Sequence, residues 1–266
     1  MKHISWIFVG SVFCTLFLSS CVHTQNQAEL FHGPLRVSED NPRYLTDDEG
    51  RAVYLTGSHT WNNLVDMKLA DSLETFDFVH HIQWLKRYNH NFIRLWAWEL
   101  LNWDTDGISD EANIYQVAPH PWARTGPGNA LDGKQKFDLQ QFDPVYFDRL
   151  EQRVKLAFDS GIYVSIMLFE GWGLQFSPRA FESHPFHPDN NINGINGDSN
   201  NDGSGVEIHT LENKEITAIQ KTYIKKVIDV VNEFDNVLFE ISNENHPPST
   251  EWQYHMISFI KDYEKQ

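Results

Sequence analysis

Three features of the sequence predict an α/β fold in which parallel strands are covered by helices. Short apolar runs alternate with amphipathic runs of helical period, the loops after the helical runs are tight, and the connections after the apolar runs are long. With 266 residues, 41% of them hydrophobic, the chain is large enough to bury a full core as one domain.

The first 21 residues are set apart from that fold. Lys2 and His3 precede an apolar run from Ile4 to Leu18, too short to span a bilayer comfortably, and the run ends in Leu-Ser-Ser-Cys at 18–21. This resembles the lipobox of bacterial lipoproteins. The resemblance implies cleavage before Cys21, acylation of its thiol, and a lipid anchor on a membrane surface of the bacterial cell envelope without a spanning helix. An ordinary secretory signal is the alternative. Cys14 and Cys21 are the two cysteines, and cleavage would leave only Cys21, so packing rather than a disulfide must stabilise the exported chain. Residues 22–33 read as a polar tether, which leaves 34–266 as the domain.

Each element of that domain has its own signal. RYLTDDEGRAVYLTG reads as a β-hairpin closed by Asp-Asp-Glu-Gly. A first strand is predicted at Ala52–Thr56, then a helix at Phe76–Tyr88 with Phe78, Val79, Ile82 and Leu85 on one face. The second strand is predicted at Phe92–Ala97. Asp143-Pro144 supplies a cap and an N1 proline for a helix carrying Phe147, Leu150, Val154 and Phe158 and stopping at Gly161. A third strand at Tyr163–Phe169, a helix at Lys214–Glu233, a fourth strand at Val237–Ser242 and a helix at Glu251–Lys265 complete the pattern. The elaborate connections, about 98–142 and 170–213, both follow strands. That asymmetry predicts a (β/α)₈ barrel with its site at the C-terminal ends of the strands, here as about four β–α units after a hairpin. A doubly wound sheet is the rival, but TGSHTWNN after the first strand is no glycine-rich phosphate turn.

Composition narrows function by exclusion. A formal net charge of −16, with no block of Lys or Arg, disfavours nucleic-acid binding. No H-x-H follows the first strand and no H-E-x-x-H occurs, so neither a metal nor another cofactor is expected in the site. GDSNNDGSG imitates the start of a calcium loop through Asp198, Asn200, Asp202 and Gly203. Its twelfth position is His209 rather than Glu, and it reads as a turn cluster.

The chemistry-bearing residues gather near strand ends. In NVLFEISNENHPP, alternation puts Glu240, Ser242 and Glu244 on one strand face. A buried Glu240 needs a partner, and Arg94 within the apolar run FIRLWAWE is the expected one. His59 and Trp61 follow the first strand, Trp98 and Glu99 the second, Glu170 and Trp172 the third, and His246 the fourth. Indole faces that stack on sugar C–H groups, with hydroxyl-binding His and Glu beside them, fit a saccharide cleft.

FEISNEN resembles the strand-four motif of clan-A glycoside hydrolases. NPRYLTDDEGRAVYLTGSHTWNN, HPFHPDNNINGINGD and EIHTLENKEIT extend a resemblance to cellulase- or apiosidase-like members of that group. The resemblance implies a polysaccharide or oligosaccharide substrate, hydrolysed with retention by two carboxyl groups. In that scheme Glu244 is the general acid/base and Asn243 the partner of the sugar 2-hydroxyl, with Arg94 holding the rim. Asn245 departs from the proline of many relatives. The attacking carboxylate of the resembled enzymes comes from strand seven, so the sequence is expected to represent a truncated, N-terminal half of the barrel. Glu99 and Glu170 are the nearest substitutes, with sugar binding or structural pairing as their expected role. A non-catalytic, surface-anchored glycan-binding protein is the competing expectation.

Overall fold

The computed structural model describes residues 31–70, 72 and 75–265. The signal, the lipidation expected at Cys21 and most of the tether lie outside the described residues. No described helix is long and apolar enough to cross a membrane.

Packing begins earlier than residue 34. Phe31 is buried, stacked on Phe158 at 5.1 Å and edge-on to Tyr163 at 4.8 Å. The tether expected through residue 33 therefore gives way to core contact at Phe31, because an aromatic ring gains more by leaving water than a polar linker does. The hairpin forms and gains a strand: β1 (Arg36–Val37), β2 (Leu45–Thr46) and β3 (Ala52–Val53) make an antiparallel sheet. Asp47 closes its turn by accepting from the Glu49 and Arg51 amides.

The central sheet is parallel. β5 (Phe92–Trp96), β10 (Tyr163–Glu170) and β11 (Val237–Asn243) stand in the order β11-β10-β5, with Val164 level with both Ile93 and Val237. All eight residues of β10 are buried, as a central strand covered on both faces requires. The first strand of the expected series is reduced. Ala52–Val53 belongs to the hairpin sheet, and the chain rejoins the parallel sheet through a single bridge from Gly57 to Phe92. Asn91 secures that bridge, donating its backbone amide to the Thr56 carbonyl and accepting the Thr56 amide on its side chain. The described residues form part of an α/β fold and no closed barrel.

The helices cover the sheet much as their apolar periods predict. α1 (Phe78–Arg87) is capped by Asp77 and buries Phe78, Ile82 and Leu85, whereas Val79 points to water one position off that stripe. α2 (Pro144–Phe158) starts at the Asp143 cap, and Gly161, with a φ of 73°, ends its last turn. α4 (Lys214–Val231) is capped by Asn213, and α5 (Thr250–Tyr263) buries Trp252 and Met256. Tyr146 of α2 and Tyr223 of α4 meet hydroxyl to hydroxyl at 3.1 Å in the core.

The long connections hold structure that apolar periodicity did not announce. β4 (Asp66–Lys68), β6 (Asn102–Asp104) and β7 (Ile114–Ala118) form a three-stranded antiparallel sheet, and β8 (Trp122–Asn129) pairs with β9 (Gln135–Phe142). α3 (Trp172–Phe176) follows β10 at once. These additions lie in the connections after strands and between strand and helix, and several of them wall the site.

Candidate functional site

The C-terminal ends of the parallel strands open on a cleft of about 140 Å³. Its walls are largely indole. Trp61 and Trp103 meet edge to face at 5.3 Å, Trp98 stands 5.9 Å from Trp103 and 6.3 Å from Trp172, and Trp96 also lines the space. Trp61 is exposed, Trp172 half-buried and Trp98 buried, so the aromatic wall runs from core to rim. Three polar side chains enter it: Glu170, Asn243 and Glu244.

Glu244 comes to the cleft by a backbone turn. β11 ends at Asn243, and Glu244 adopts φ 44°, the left-handed region that non-glycine residues avoid at a cost of about 1–2 kcal/mol. Its carbonyl accepts a 2.6 Å hydrogen bond from the Gln175 amide of α3, which holds the turn. Strand alternation therefore stops one residue short of Glu244, and its exposed side chain faces the tryptophans because of the turn.

Arg94 and Glu240 pair across the sheet. Arg94 Nε donates to Glu240 Oε2 at 2.8 Å, one terminal nitrogen binds Oε1, and the same nitrogen reaches Asn243 Oδ1 at 3.2 Å. The guanidinium also lies 4.6 Å over the Trp96 ring. The pair is half-buried rather than deep in a core, since β11 pairs only with β10 among the described residues. Arg94 thus fixes the Asn243 side chain on the cleft floor. A larger groove of about 680 Å³ runs along β11 and α5 and includes Glu240, but none of the tryptophans, nor Glu170, Asn243 or Glu244, lines it.

Glu170 ends β10 inside the cleft wall and is 2% exposed. It accepts the Trp172 amide at 2.9 Å and the Gly173 amide at 2.7 Å. Burial, with the Glu99 charge behind it, outweighs those hydrogen bonds and pushes the Glu170 carboxyl up to about 8. At neutral pH it is mostly the protonated acid, able to donate.

The other expected site residues separate from the cleft. Glu99 is buried beneath it: Oε2 accepts the Glu170 amide at 2.8 Å and meets His209 Nε2 at 3.0 Å, while His184 Nε2 stands 3.4 Å from Oε1. Burial alone would raise this carboxyl, but the attraction of His209 and the contacts of both imidazoles hold it at about 2. Glu99 is a structural anion under the floor and not a wall of the cleft, because two buried imidazoles from the next connection reach it first. His246 is also turned away, its Nε2 2.7 Å from the Val206 carbonyl. His59 stacks flat on Trp96 at 5.3 Å, beside the lining and not within it. Of the lining tryptophans, sequence reading passed over Trp96, which lies within β5, and Trp103. Trp103 lies in a connection, and only its pairing in β6 and its stacking on Tyr115 at 5.5 Å bring it to the wall. Its signal was proximity to Trp98 in WELLNWD.

A sequence family described only as a domain of unknown function, DUF6298, matches residues 112–266. No curated protein matches the chain. Among solved structures, endo-glycoceramidase II from Rhodococcus sp. in a cellobiose-like isofagomine complex is similar at TM-score 0.51 and 16% identity, covering 84% of this chain and 49% of that one. The same enzyme in a ganglioside GM3 complex gives TM-score 0.50 and 15% identity, with 84% and 49% covered. A glycoside hydrolase family 5 protein from Bacteroides vulgatus gives 0.49 and 15%, with 88% and 38% covered. The chain thus spans two fifths to one half of these structures, and at such identities the likeness is one of fold.

Proposed function

The chain belongs to the DUF6298 family, and on that premise we propose that it carries the acid/base side of a retaining glycoside hydrolase site acting on a polysaccharide or oligosaccharide. One observation carries the reading: a carboxylate, Glu244, is turned by a strained backbone from the end of a parallel strand into a tryptophan-walled cleft. The glycoside-hydrolase-like fold supports it. In this reading a sugar ring stacks on the indoles, and the Glu244 carboxyl gives its proton to the departing glycosidic oxygen. Asn243, held by Arg94, meets the neighbouring hydroxyl. In the same reading Glu170, mostly protonated at neutral pH and in the cleft lining, donates to another sugar oxygen. Retention also calls for an attacking carboxylate about 5–5.5 Å from the donor. Glu170 and Glu99 are both committed to backbone amides, so neither is assigned that part.

The test is Glu244→Gln in the full-length protein. Turnover of substrates with poor leaving groups is expected to fall about 10²–10⁴-fold, and that of substrates with good leaving groups much less. Equal rates for both proteins would remove Glu244 from the role. The engagement of both buried carboxyls also keeps a glycan-binding reading open. Saturable glycan affinity with no reducing sugar released by the unaltered protein would favour it. The lipid anchor on Cys21 belongs to the same proposal: a Cys21→Ser variant is expected in the soluble fraction, and its retention in membranes would count against acylation.

A further inference from the structure

The connection between β10 and α4 gathers a second set of acids, none of which lines the tryptophan cleft. The Asp198 carboxylate organises the turn, accepting the Asp202 amide at 3.1 Å on Oδ1 and the Gly203 amide at 2.9 Å on Oδ2. Asn200 Oδ1 accepts the Asp202 amide at 2.8 Å, and Asp202 Oδ1 accepts the Ser204 amide at 2.8 Å. Gly203, at φ 84°, lets the chain double back, and Glu207 comes up from the following turn. Oxygens of Asp198, Asp202 and Glu207 then lie within 4.8 Å of one another.

Converging acids alone say little, since exposed carboxylates often cluster. Glu207 is different. It is 7% exposed, its Oε1 accepts the Asn200 side-chain amide at 2.6 Å, and its Oε2 is buried with no hydrogen-bond partner. Among the described residues, no salt bridge joins a Lys or Arg to any of the three acids. A buried carboxylate that converges on two others, with one of its oxygens lacking a donor, is a costly arrangement unless a cation completes it. The Asn200 amide is the single positive edge between Asp202 and Glu207, bonding to Asp202 Oδ2 at 3.0 Å as well.

We propose that Asp198, Asn200, Asp202 and Glu207 bind one calcium ion, which takes the place now filled by the Asn200 amide nitrogen. Every donor offered is oxygen, which suits a hard cation, and the ligands come from an irregular loop and the turn after it rather than from a preformed octahedral frame. That favours calcium over magnesium and over zinc. The Asp-x-Asn-x-Asp-Gly spacing matches the opening of a helix–loop–helix calcium loop, with the closing acid at the tenth position instead of the twelfth. The ion would brace a segment that supports the cleft from behind. On either side of Glu207, the Val206 carbonyl meets His246, two residues beyond Glu244, and His209 meets Glu99. This inference does not depend on glycosidase activity.

The experiment is calorimetric titration of chelator-stripped, full-length protein with calcium chloride, alongside thermal unfolding with and without the ion. Expected are one ion per chain, a dissociation constant on the order of 10⁻⁵ to 10⁻³ M and a rise in Tm that saturates with occupancy. Glu207→Gln and Asp202→Asn are each expected to weaken calcium binding at least about tenfold with unchanged far-UV circular dichroism. Glu212→Gln, in the same connection but outside the cluster, should bind within about twofold of the unaltered protein. If either carboxamide variant loses structure, Asn200→Ala carries the same expectation with less effect on the turn. Absence of saturable calcium binding, magnesium binding as tight as calcium, or variants that bind like the parent would each overturn the site.

Discussion

Glu170 and Glu244 enter one cleft at different depths. Glu244 is exposed at the rim on a strained backbone, and Glu170 is sealed in the wall with its carboxyl at about 8. Because that value lies above the ordinary 4.5, the folded protein takes up a proton that the unfolded chain releases between about pH 4.5 and 8. Stability therefore falls as pH rises through that window, by up to about 1.4 kcal/mol per pH unit. Glu170→Gln keeps the shape and removes the proton uptake. Denaturant unfolding at pH 5, 6.5 and 8 is expected to show the variant gaining on the parent at each step. Parallel curves would mean that Glu170 is ionised in the fold. Sequence reading found the position of both carboxyls. It could not tell that Glu170 is sealed from water, because burial depends on α3 closing over it, and nothing in a strand motif encodes that.

Between elements, the tightest joint is where β10 runs into α3 beside the end of β11. Gly171 caps α3, and a Cβ built there would stand 2.6 Å from the Asn245 Cα and 2.5 Å from its Cγ. The φ of −93° is open to any residue, so the glycine is required by the approach of two rims and not by its own dihedrals. Gly171→Ala is expected to cost about 1–3 kcal/mol by pushing the Asn243–Asn245 turn outward, and to lower turnover because Glu244 moves with it. Full stability and activity in this variant would show that the rims are not in contact. At this scale the helices α1, α2 and α4 and the three parallel strands were legible, since caps and apolar period act within a few residues of one another. The strands β4, β6 and β7 were not, because three-pair ladders in a connection depend on partners far along the chain.

Across the whole molecule, Glu99 joins three parts of the chain: the connection after β5 that carries it, the end of β10 through the Glu170 amide, and the later loop through His184 and His209. Its carboxyl is held at about 2, below the ordinary 4.5, so it contributes stability that is present above about pH 4.5 and lost as pH falls towards 2. Glu99→Gln is expected to cost about 3 kcal/mol at pH 7 and to flatten the acid limb of the stability curve. An acid limb as steep as that of the parent would place the charge elsewhere. The sequence alone determined the order of the three parallel strands and the helices that cover them, the Asp143 cap, the tryptophan-rich strand ends and the Asn243–Glu244 rim, all of which rest on neighbours close in the chain. Only the tertiary structure decided that Glu99 serves the core while Glu170 serves the cleft, that Trp103 joins the wall, and that a buried Glu207 converges on Asp198 and Asp202. Those roles depend on which distant segments exclude water from each carboxyl, and desolvation is set by packing and not by spacing.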